Sequence, residues 1–381
     1  MSLSGALGLY VHWPYCARIC PYCDFNVYRL KGSEGALLDA ILADMRGWRE
    51  RTGARRLTSL HLGGGTPSLL SPVALERIIS AAAEIWGFDA VPEIGLEANP
   101  NDLASFADYA SIGINRLSIG VQSFDADALA RLGRDHSADE AVRAVEAAQK
   151  AVDQVSLDLI YAWHGQTLEH WRGELGQAAA LGVGHVSPYQ LTIESGTAFG
   201  KRVARGDKLA LEPDDAADFY SLTEEVLGEA GFERYEISNH AQDLAAQSRH
   251  NRLYWEGGDW IGAGPGAHGR LGAYSKAGRI ATEAARRPQD YIDQVMSTGW
   301  GVKSLETLSA DDERTERVLM GMRIASGLDL AEVAGFTGLG IDEAECQRMS
   351  ELGYLVRDGE HLSLTREGQV LGDAVSMALI P

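Results

Sequence analysis

The first half of the chain alternates between strand-like and helix-like segments, and this alternation restricts the fold more than any other feature. Six short runs rich in apolar and β-branched residues are typical of strands, at residues 7–13, 57–62, 93–98, 116–121, 155–162 and 185–192. Helix-like stretches lie between them, for example at 35–50, 71–86 and 137–151. Strands that alternate with helices pair in parallel. We therefore predict an α/β fold on a parallel sheet, either doubly wound or curled into a barrel.

Local signals support two of these helices. Ser71 followed by Pro72 is a typical helix start, because proline at the first helical position needs no backbone N–H partner. The string "SADE" at 137–140 fits a capping box.

Polar residues and glycines follow the predicted strands, where parallel sheets bind ligands. Three cysteines follow the first strand, and Gly63–Gly65 follow the second. Glu97 and Asn99 end the third strand, and Gln122 ends the fourth. We therefore expect one binding site at the carboxyl ends of the strands.

The second half of the chain is less regular. Residues 196–305 contain polar stretches, helices and a glycine-dense segment at 255–270 that we interpret as a loop. From about residue 311, three helices precede a hairpin with Asp358-Gly359 at its turn, an order typical of a winged helix. Residues 311–381 carry 14 acidic side chains against 6 arginines and no lysine, which disfavours DNA binding and favours a packing or partner-docking role. We predict three domains, at 1–200, 201–305 and 306–381, the last a small α+β domain.

Charge and hydropathy exclude several classes of partner. The chain has 381 residues with a net charge of −20, and this negative field disfavours nucleic acid and anionic membrane surfaces. It contains no apolar run long enough for a transmembrane segment, and the N-terminal residues lack the pattern of a signal peptide. We expect a cytoplasmic protein.

The string "YCARICPYCDF" at 15–25 places Cys16, Cys20 and Cys23 in the spacing C-x3-C-x2-C. One interpretation is a zinc site completed by His12 or by a distant residue. A second is a set of inert buried thiols. A third is a [4Fe–4S] cluster with three irons held by cysteine and one left open. The fourth cysteine, Cys346, lies in an apparent amphipathic helix and is expected to be a small buried apolar residue.

The cysteine spacing, with the aromatic Tyr22 before the last cysteine, resembles the radical S-adenosylmethionine (SAM) superfamily. The resemblance implies a partial barrel of six β/α units and a cluster whose open iron is chelated by the methionine part of SAM. An electron from the cluster then cleaves the sulfonium. The iron without a cysteine ligand would therefore be the position at which SAM binds and reacts.

Other strings extend the resemblance to residues 7–370, within the branch that contains coproporphyrinogen III oxidase. They are "LHLGGGTPS" (60–68), "GLEANP" (95–100), "SIGVQSF" (118–124), "LGRDHS" (132–137) and "SLDLIY" (156–161). By this resemblance, SAM is bound by Tyr10, Tyr22, Gly64, Gly65, Thr66, Glu97, Gln122, Arg134 and Asp158. Gly64, Gly65 and Thr66 match the element that binds the methionine amino group, and Tyr10 would lie over the methionine end.

Within this branch the alternatives are an oxidase and a heme chaperone. Phe25 stands where the oxidase has a further cysteine, and the first cysteine is already residue 16, whereas the oxidase has a longer N-terminal extension. The string "HNRLYW" at 250–255 matches the chaperone subgroup and predicts His250 as an axial heme ligand, covered by Tyr254 and Trp255. The resemblance implies heme, heme-accepting proteins and an electron donor such as a flavodoxin or ferredoxin as partners.

One string departs from the family pattern. Residues 161–167 read "YAWHGQT", where relatives have a string like Y-G-L-P-x-Q-T. Gln166 and Thr167 are kept, but Ala162 and His164 replace glycine and proline. We therefore expect this loop to run differently, and His164 is a second candidate for contact with heme or substrate.

Overall fold

The protein is described here by a computed structural model that covers residues 5–30, 34–272 and 278–381. Its centre is a run of six parallel strands, as predicted. In chain order they are β1 (Leu7–Trp13), β2 (Leu57–Gly64), β3 (Phe88–Ala98), β4 (Arg116–Gln122), β5 (Gln154–Tyr161) and β6 (His185–Gln190). Neighbours in this list are neighbours in space, and every pair among them is parallel.

The two faces of these strands differ because side chains alternate along a strand. One face carries Leu9, Leu60, Leu96 and Leu117 and is buried beneath the helices in the main hydrophobic core. The other face carries polar or small residues in register across the sheet, among them Tyr10, His61, Glu97, Ser118 and Asp158. This polar face therefore carries the chemistry of the molecule.

The sheet does not stop at the six parallel strands. Six further strands extend it, namely β7 (Glu233–Glu236), β8 (Asn239–Ala241), β9 (Asp259–Ala263), β10 (His268–Leu271), β11 (Ile280–Ala284) and β12 (Val302–Thr307). The order is β12-β11-β10-β9-β1-β2-β3-β4-β5-β6-β8-β7, an open mixed sheet in which β9 pairs with β1 in parallel. The prediction that residues 255–270 form a loop was therefore wrong, since β9 and β10 lie there. The predicted boundary at residue 200 stays a prediction, but segment 201–305 contributes half of the strands in this sheet.

Helices cover the apolar face and connect the strands. The helices before residue 308 are α1 (Glu34–Thr52), α2 (Pro72–Ile85), α3 (Phe106–Ser111), α4 (Ala126–Arg131), α5 (Ala138–Ala151), α6 (Leu168–Ala180), α7 (Ala198–Val203), α8 (Pro213–Glu229), α9 (Arg249–Trp255) and α10 (Pro288–Thr298). Both predicted starts are confirmed: Ser71 accepts a hydrogen bond from the backbone of Ala74, and Ser137 forms a capping box with Glu140. No helix in the described part of the chain is long and apolar enough to cross a membrane.

The C-terminal residues form a small α+β domain with its own core. It contains α11 (Ala310–Gly321), α12 (Leu330–Thr337), α13 (Glu343–Glu351), α14 (Arg366–Val370) and α15 (Gly372–Ala378), with strands β13 (Leu328–Asp329), β14 (Leu355–Asp358) and β15 (His361–Leu364). Strands β14 and β15 form the predicted hairpin, and Gly359 at its turn has a φ of 60°. Cys346 is buried in this core, as expected of a small apolar residue.

Candidate active site

A cavity of about 430 Å³ opens at the carboxyl ends of the parallel strands. It is lined by all the residues predicted to hold the cluster or SAM except Tyr10: Cys16, Cys20, Tyr22, Cys23, Gly64, Gly65, Thr66, Glu97, Gln122, Arg134 and Asp158. Parallel strands bring their carboxyl ends to one edge, so residues far apart in sequence meet there. Tyr10 is absent from the cavity lining, and so are the residues predicted to contact heme, namely His164, His250, Tyr254 and Trp255.

The three cysteines follow β1, and all three are free thiols that line the same cavity. Cys16 lies in a two-residue strand, Tyr15–Cys16, which pairs with Tyr28–Arg29, and Cys20 and Cys23 lie in the loop between these two short strands. Burial raises the pKa of Cys16, and it raises the pKa of Cys23 to about 11. Thiols of this kind ionise when they bind a metal. Within residues 5–30, 34–272 and 278–381, no three His, Cys, Asp or Glu side chains converge as ligands of a metal ion. In a cluster each cysteine binds a different iron, so convergence on one point is not required.

Arg134 reaches the cysteine loop from the segment after α4. One of its terminal nitrogens donates a hydrogen bond to the sulfur of Cys20 (3.4 Å), and the other donates to the carbonyl of Gly120 (3.1 Å). Its Nε is buried without a hydrogen-bond partner among the described residues. A buried donor of this kind is costly unless a ligand satisfies it. Arg134 therefore fits a site that holds anionic groups next to the cysteines.

The glycine turn after β2 packs against the chain's own backbone. A Cβ on Gly65 would lie 2.7 Å from the carbonyl oxygen of Tyr15, and one on Gly64, whose φ is 109°, would lie 2.5 Å from the His12 ring. The close approach that glycine permits here is thus to the segment that leads into the cysteine loop. The turn also lines the cavity, so it couples the cysteine loop to the ligand pocket.

Glu97 is tied to this turn. Its carboxylate accepts a hydrogen bond from the backbone N–H of Gly64 (3.0 Å) and lies 3.3 Å from Nε2 of His61. The remaining backbone N–H groups of the turn donate to the carbonyls of Trp13 and Tyr15. The backbone of the turn can therefore offer a ligand only carbonyl acceptors, and Glu97 adds a carboxylate. This set of acceptors suits an ammonium group.

Asp158 lies deeper on the polar face, where it accepts a hydrogen bond from the hydroxyl of Ser118 (2.9 Å). Burial raises its pKa to about 6. Gln122 lines the same cavity with a φ of 68°, an uncommon backbone conformation for a residue other than glycine. Ser118 also lines the cavity and was missed from the sequence. Ser118, Gly120 and Gln122 are two residues apart along β4 and therefore face the same side of the sheet, and this spacing could have identified Ser118.

Tyr10 and His12 lie on β1 and do not line the cavity. The hydroxyl of Tyr10 is 3.0 Å from Nδ1 of His12, and Nε2 of His12 is 2.9 Å from the carbonyl oxygen of Asn26. Because a carbonyl only accepts, Nε2 of His12 carries the proton and Nδ1 accepts from Tyr10. Tyr10 does not line the cavity, and its contact with SAM stays a prediction. His12 is likewise engaged on both nitrogens and does not complete a zinc site with the cysteines.

His250 lies in the interior, away from the cavity. Its ring is 2 % exposed; Nδ1 lies 2.9 Å from the hydroxyl of Ser59, and Nε2 lies 2.7 Å from that of Tyr254. The ring also stacks on His61 at a centroid distance of 5.0 Å. Both ring nitrogens are therefore occupied, and this geometry offers none to iron. Helix α9 places the ring against the polar face of the sheet, and the heme ligation predicted for His250 stays a prediction.

The divergent loop after β5 keeps His164 at the surface, outside the cavity lining. Ala162 is buried and has a φ of 63°, in the left-handed region that favours glycine. Ala162 therefore adopts a backbone conformation that is usual for glycine.

Comparison with known proteins agrees with this geometry. Residues 10–175 match the family model of the radical SAM superfamily, and residues 308–371 match that of the HemN C-terminal domain. The chain belongs to the radical SAM superfamily. This membership implies a [4Fe–4S] cluster and SAM, and Cys16, Cys20 and Cys23 are in place for the cluster.

Relatives place this radical SAM protein in the branch that contains HemW and HemN. Heme chaperone HemW of Mycobacterium tuberculosis is 35% identical, with 98% of this chain and 94% of the relative covered. HemW of Escherichia coli is also 35% identical, with coverages of 96% and 95%. A mouse protein, mitochondrial radical S-adenosyl methionine domain-containing protein 1, is 35% identical over 100% of this chain and 88% of its own length. The structure of E. coli coproporphyrinogen III oxidase (HemN) shares the fold, with a TM-score of 0.83 at 22% identity, covering 99% of this chain and 92% of that one.

Proposed function

We propose that this radical SAM protein is a heme chaperone: it binds a [4Fe–4S] cluster, SAM and heme, and delivers heme to acceptor proteins. The observation that carries the proposal is the similarity to HemW along almost the whole of both chains. When bound, the cluster supplies the electron that cleaves the sulfonium of SAM. Cys16, Cys20 and Cys23 would hold the cluster, and an electron-donating protein such as a flavodoxin or ferredoxin would reduce it.

The donor set of the cavity supports a SAM site. The methionine end of SAM carries an ammonium group, and Glu97 with the carbonyls of the glycine turn supplies only acceptors for it. Asp158, ionised above its raised pKa of about 6, can accept hydrogen bonds from the ribose hydroxyls. Arg134 can donate to the carboxylate, since its Nε has no partner within the described part of the chain. These assignments use Glu97, Asp158 and Arg134 among the polar groups that the resemblance implies for SAM.

Phe25 supports a carrier over an oxidase. It lines the cavity mouth with 62 % of its surface exposed, in place of the additional cysteine of the oxidase. An exposed phenyl ring can contact an apolar cargo or partner but cannot act as a thiol in redox or proton transfer. The alternative function is an oxygen-independent coproporphyrinogen III oxidase, and the same scaffold carries that activity in HemN.

One sample separates the two functions. The full chain is reconstituted anaerobically with iron and sulfide, titrated with ferric heme, and assayed for conversion of coproporphyrinogen III to protoporphyrinogen IX. We expect a Soret band that saturates at stoichiometric heme, and no conversion. Robust decarboxylation that is lost in Cys16→Ala would assign the oxidase function instead.

The cluster itself is tested by its ligands. Cys16→Ala, Cys20→Ala and Cys23→Ala should each lose the absorbance of a [4Fe–4S] centre, because each removes the ligand of one iron. Cys346→Ala is the matched control, since this thiol is buried in the C-terminal core. Retention of a full cluster in any of the first three variants would contradict the ligand assignment.

A further inference from the structure

The HNRLYW segment forms helix α9, and its two faces differ in what they contact. His250 and Tyr254 turn inward and are hydrogen-bonded to each other. Arg252, Trp255 and the following Glu256 turn away from the sheet and line a second cavity, which has a volume of about 500 Å³. The part of the motif that is open to a ligand is therefore its outer face.

The far wall of this second cavity belongs to the C-terminal domain. Ile324, Leu328 and Val333 supply apolar surface, and His361 at the start of β15 supplies an imidazole. The volume lies in the range of small-molecule sites. Between the two parts of the chain that bound the cavity, the sequence forms the strands β9 to β12 and helix α10. It is thus a cleft between the sheet domain and the C-terminal domain.

His361 is arranged as a metal-binding histidine usually is. Its Nε2 lies 2.7 Å from the carbonyl oxygen of Ser326, and because a carbonyl only accepts, Nε2 carries the proton. Nδ1 therefore keeps its lone pair. Metal-ligating histidines commonly donate the other ring N–H to a backbone carbonyl, which sets the tautomer and raises the basicity of the ligating nitrogen. His361 is exposed, so a ligand can reach it.

The remaining groups suit a flat, amphipathic ligand. Trp255 presents an indole ring, and the Arg323 guanidinium carbon lies 5.3 Å from the centre of that ring. Arg252 and Arg317 also line the cleft, where Arg252 is paired with Glu256 and Arg317 with Glu313 and Glu332. Asp329 adds a further carboxylate to the lining, so the guanidinium groups are already balanced by acidic side chains. An apolar wall, an aromatic ring and an available imidazole nitrogen together match an iron porphyrin.

We propose that heme docks in the cleft between α9 and the C-terminal domain, against Trp255 and with its iron bound by Nδ1 of His361. This inference rests on the proposed heme-chaperone function and locates its cargo. It places heme at a site separate from the cysteine and SAM cavity, whose lining shares no residue with the cleft. The motif then contributes through Trp255, while His250 holds the helix in place.

Ferric heme is titrated into the cluster-reconstituted full chain and its variants, and the Soret band is recorded. His361→Ala should weaken heme binding roughly tenfold or more, because the iron loses its protein ligand. Trp255→Leu should weaken it roughly threefold to tenfold through loss of ring contact. His361→Gly with added imidazole should recover the wild-type spectrum, which a merely structural role of His361 would not produce. His268→Ala, which removes another exposed histidine that lines neither cavity, is the control and should bind heme as the wild type does.

The outcomes separate the location from the function. If the wild type binds no heme, both the proposed function and this site are overturned. If the wild type binds heme and His361→Ala keeps the wild-type affinity and spectrum, the site is overturned and the carrier function stands. The SAM-dependent change in the EPR spectrum of the cluster should persist in His361→Ala and Trp255→Leu, because the two cavities are separate.

Discussion

We predict that Glu93→Gln strongly destabilises the junction between the sheet and helix α9. Glu93 lies on β3 and accepts four hydrogen bonds. They come from the Nε of Arg116 (2.9 Å), the hydroxyl of Ser248 (3.0 Å), and the backbone N–H groups of Arg249 (2.9 Å) and His250 (3.0 Å). This one carboxylate therefore joins a neighbouring strand to the first turn of α9.

The magnitude follows from burial. Arg116 is 2 % exposed and Glu93 is 7 % exposed, so their ion pair is shielded from water. Removing one member of a buried pair leaves the other charge uncompensated and costs about 3–5 kcal/mol. Glutamine retains one acceptor oxygen, but its amide NH₂ would face donors. We expect a loss of about 3 kcal/mol in the free energy of unfolding, at the lower end because Arg116 keeps Ser156 and the carbonyl of Ala246 as acceptors.

The assay is urea unfolding followed by circular dichroism, together with hydrogen exchange of the amides in α9. Exchange in α9 should accelerate, because the single acceptor oxygen of glutamine can serve only one of the two first-turn amides, those of Arg249 and His250. Asp39→Asn is the matched control: it breaks an exposed pair with Arg77 (2.7 Å), which is expected to contribute less than about 1 kcal/mol. The double variant Glu93→Gln/Arg116→Met should recover much of the loss, since it removes both charges.

A loss below about 1 kcal/mol in Glu93→Gln, with unchanged exchange in α9, would refute the reasoning. The same result would weaken the inference about the second cavity, because the orientation of Trp255 depends on how α9 is held.

Three further predictions concern the first cavity and its loops. Gly65→Ala should lower the iron content after reconstitution, since the added Cβ would lie 2.7 Å from the carbonyl oxygen of Tyr15, next to Cys16. Gly173→Ala is the control and should leave the iron content unchanged, because a Cβ at Gly173 would have no neighbouring atom within 4 Å. SAM affinity, measured by calorimetry, should rise as the pH increases through about 6, because the carboxyl of Asp158 ionises there, and Asp158→Asn should flatten this profile. Ala162→Gly should change the free energy of unfolding by less than about 0.5 kcal/mol, because relief of the positive φ offsets the loss of the methyl group. Ala144→Gly should lower it by about 2 kcal/mol, because glycine is unfavourable inside helix α5 and a buried methyl group is lost.

Sequence reasoning was most successful where the signal was local. The bounds of β1 and the capping box at Ser137 are confirmed, because alternation and capping depend on residues a few positions apart. The cavity followed from the same signals, since residues such as Glu97 and Asp158 end or lie within strands whose parallel order brings them to one edge. The close spacing of Cys16, Cys20 and Cys23 in the sequence likewise predicted that the three thiols lie together after β1.

Long-range contacts decided the rest. The glycine-dense segment became a strand because Asp259–Ala263 pairs with β1, about 250 residues earlier in the chain. His250 and Trp255 are five positions apart on one short helix, and nothing within that helix distinguishes the side that faces Ser59 from the side that faces the C-terminal domain. The amino-acid sequence alone determined that this helix carries a histidine and a tryptophan. Only the tertiary structure decided which of them is buried, because burial is set by the strands and domain that pack around the helix.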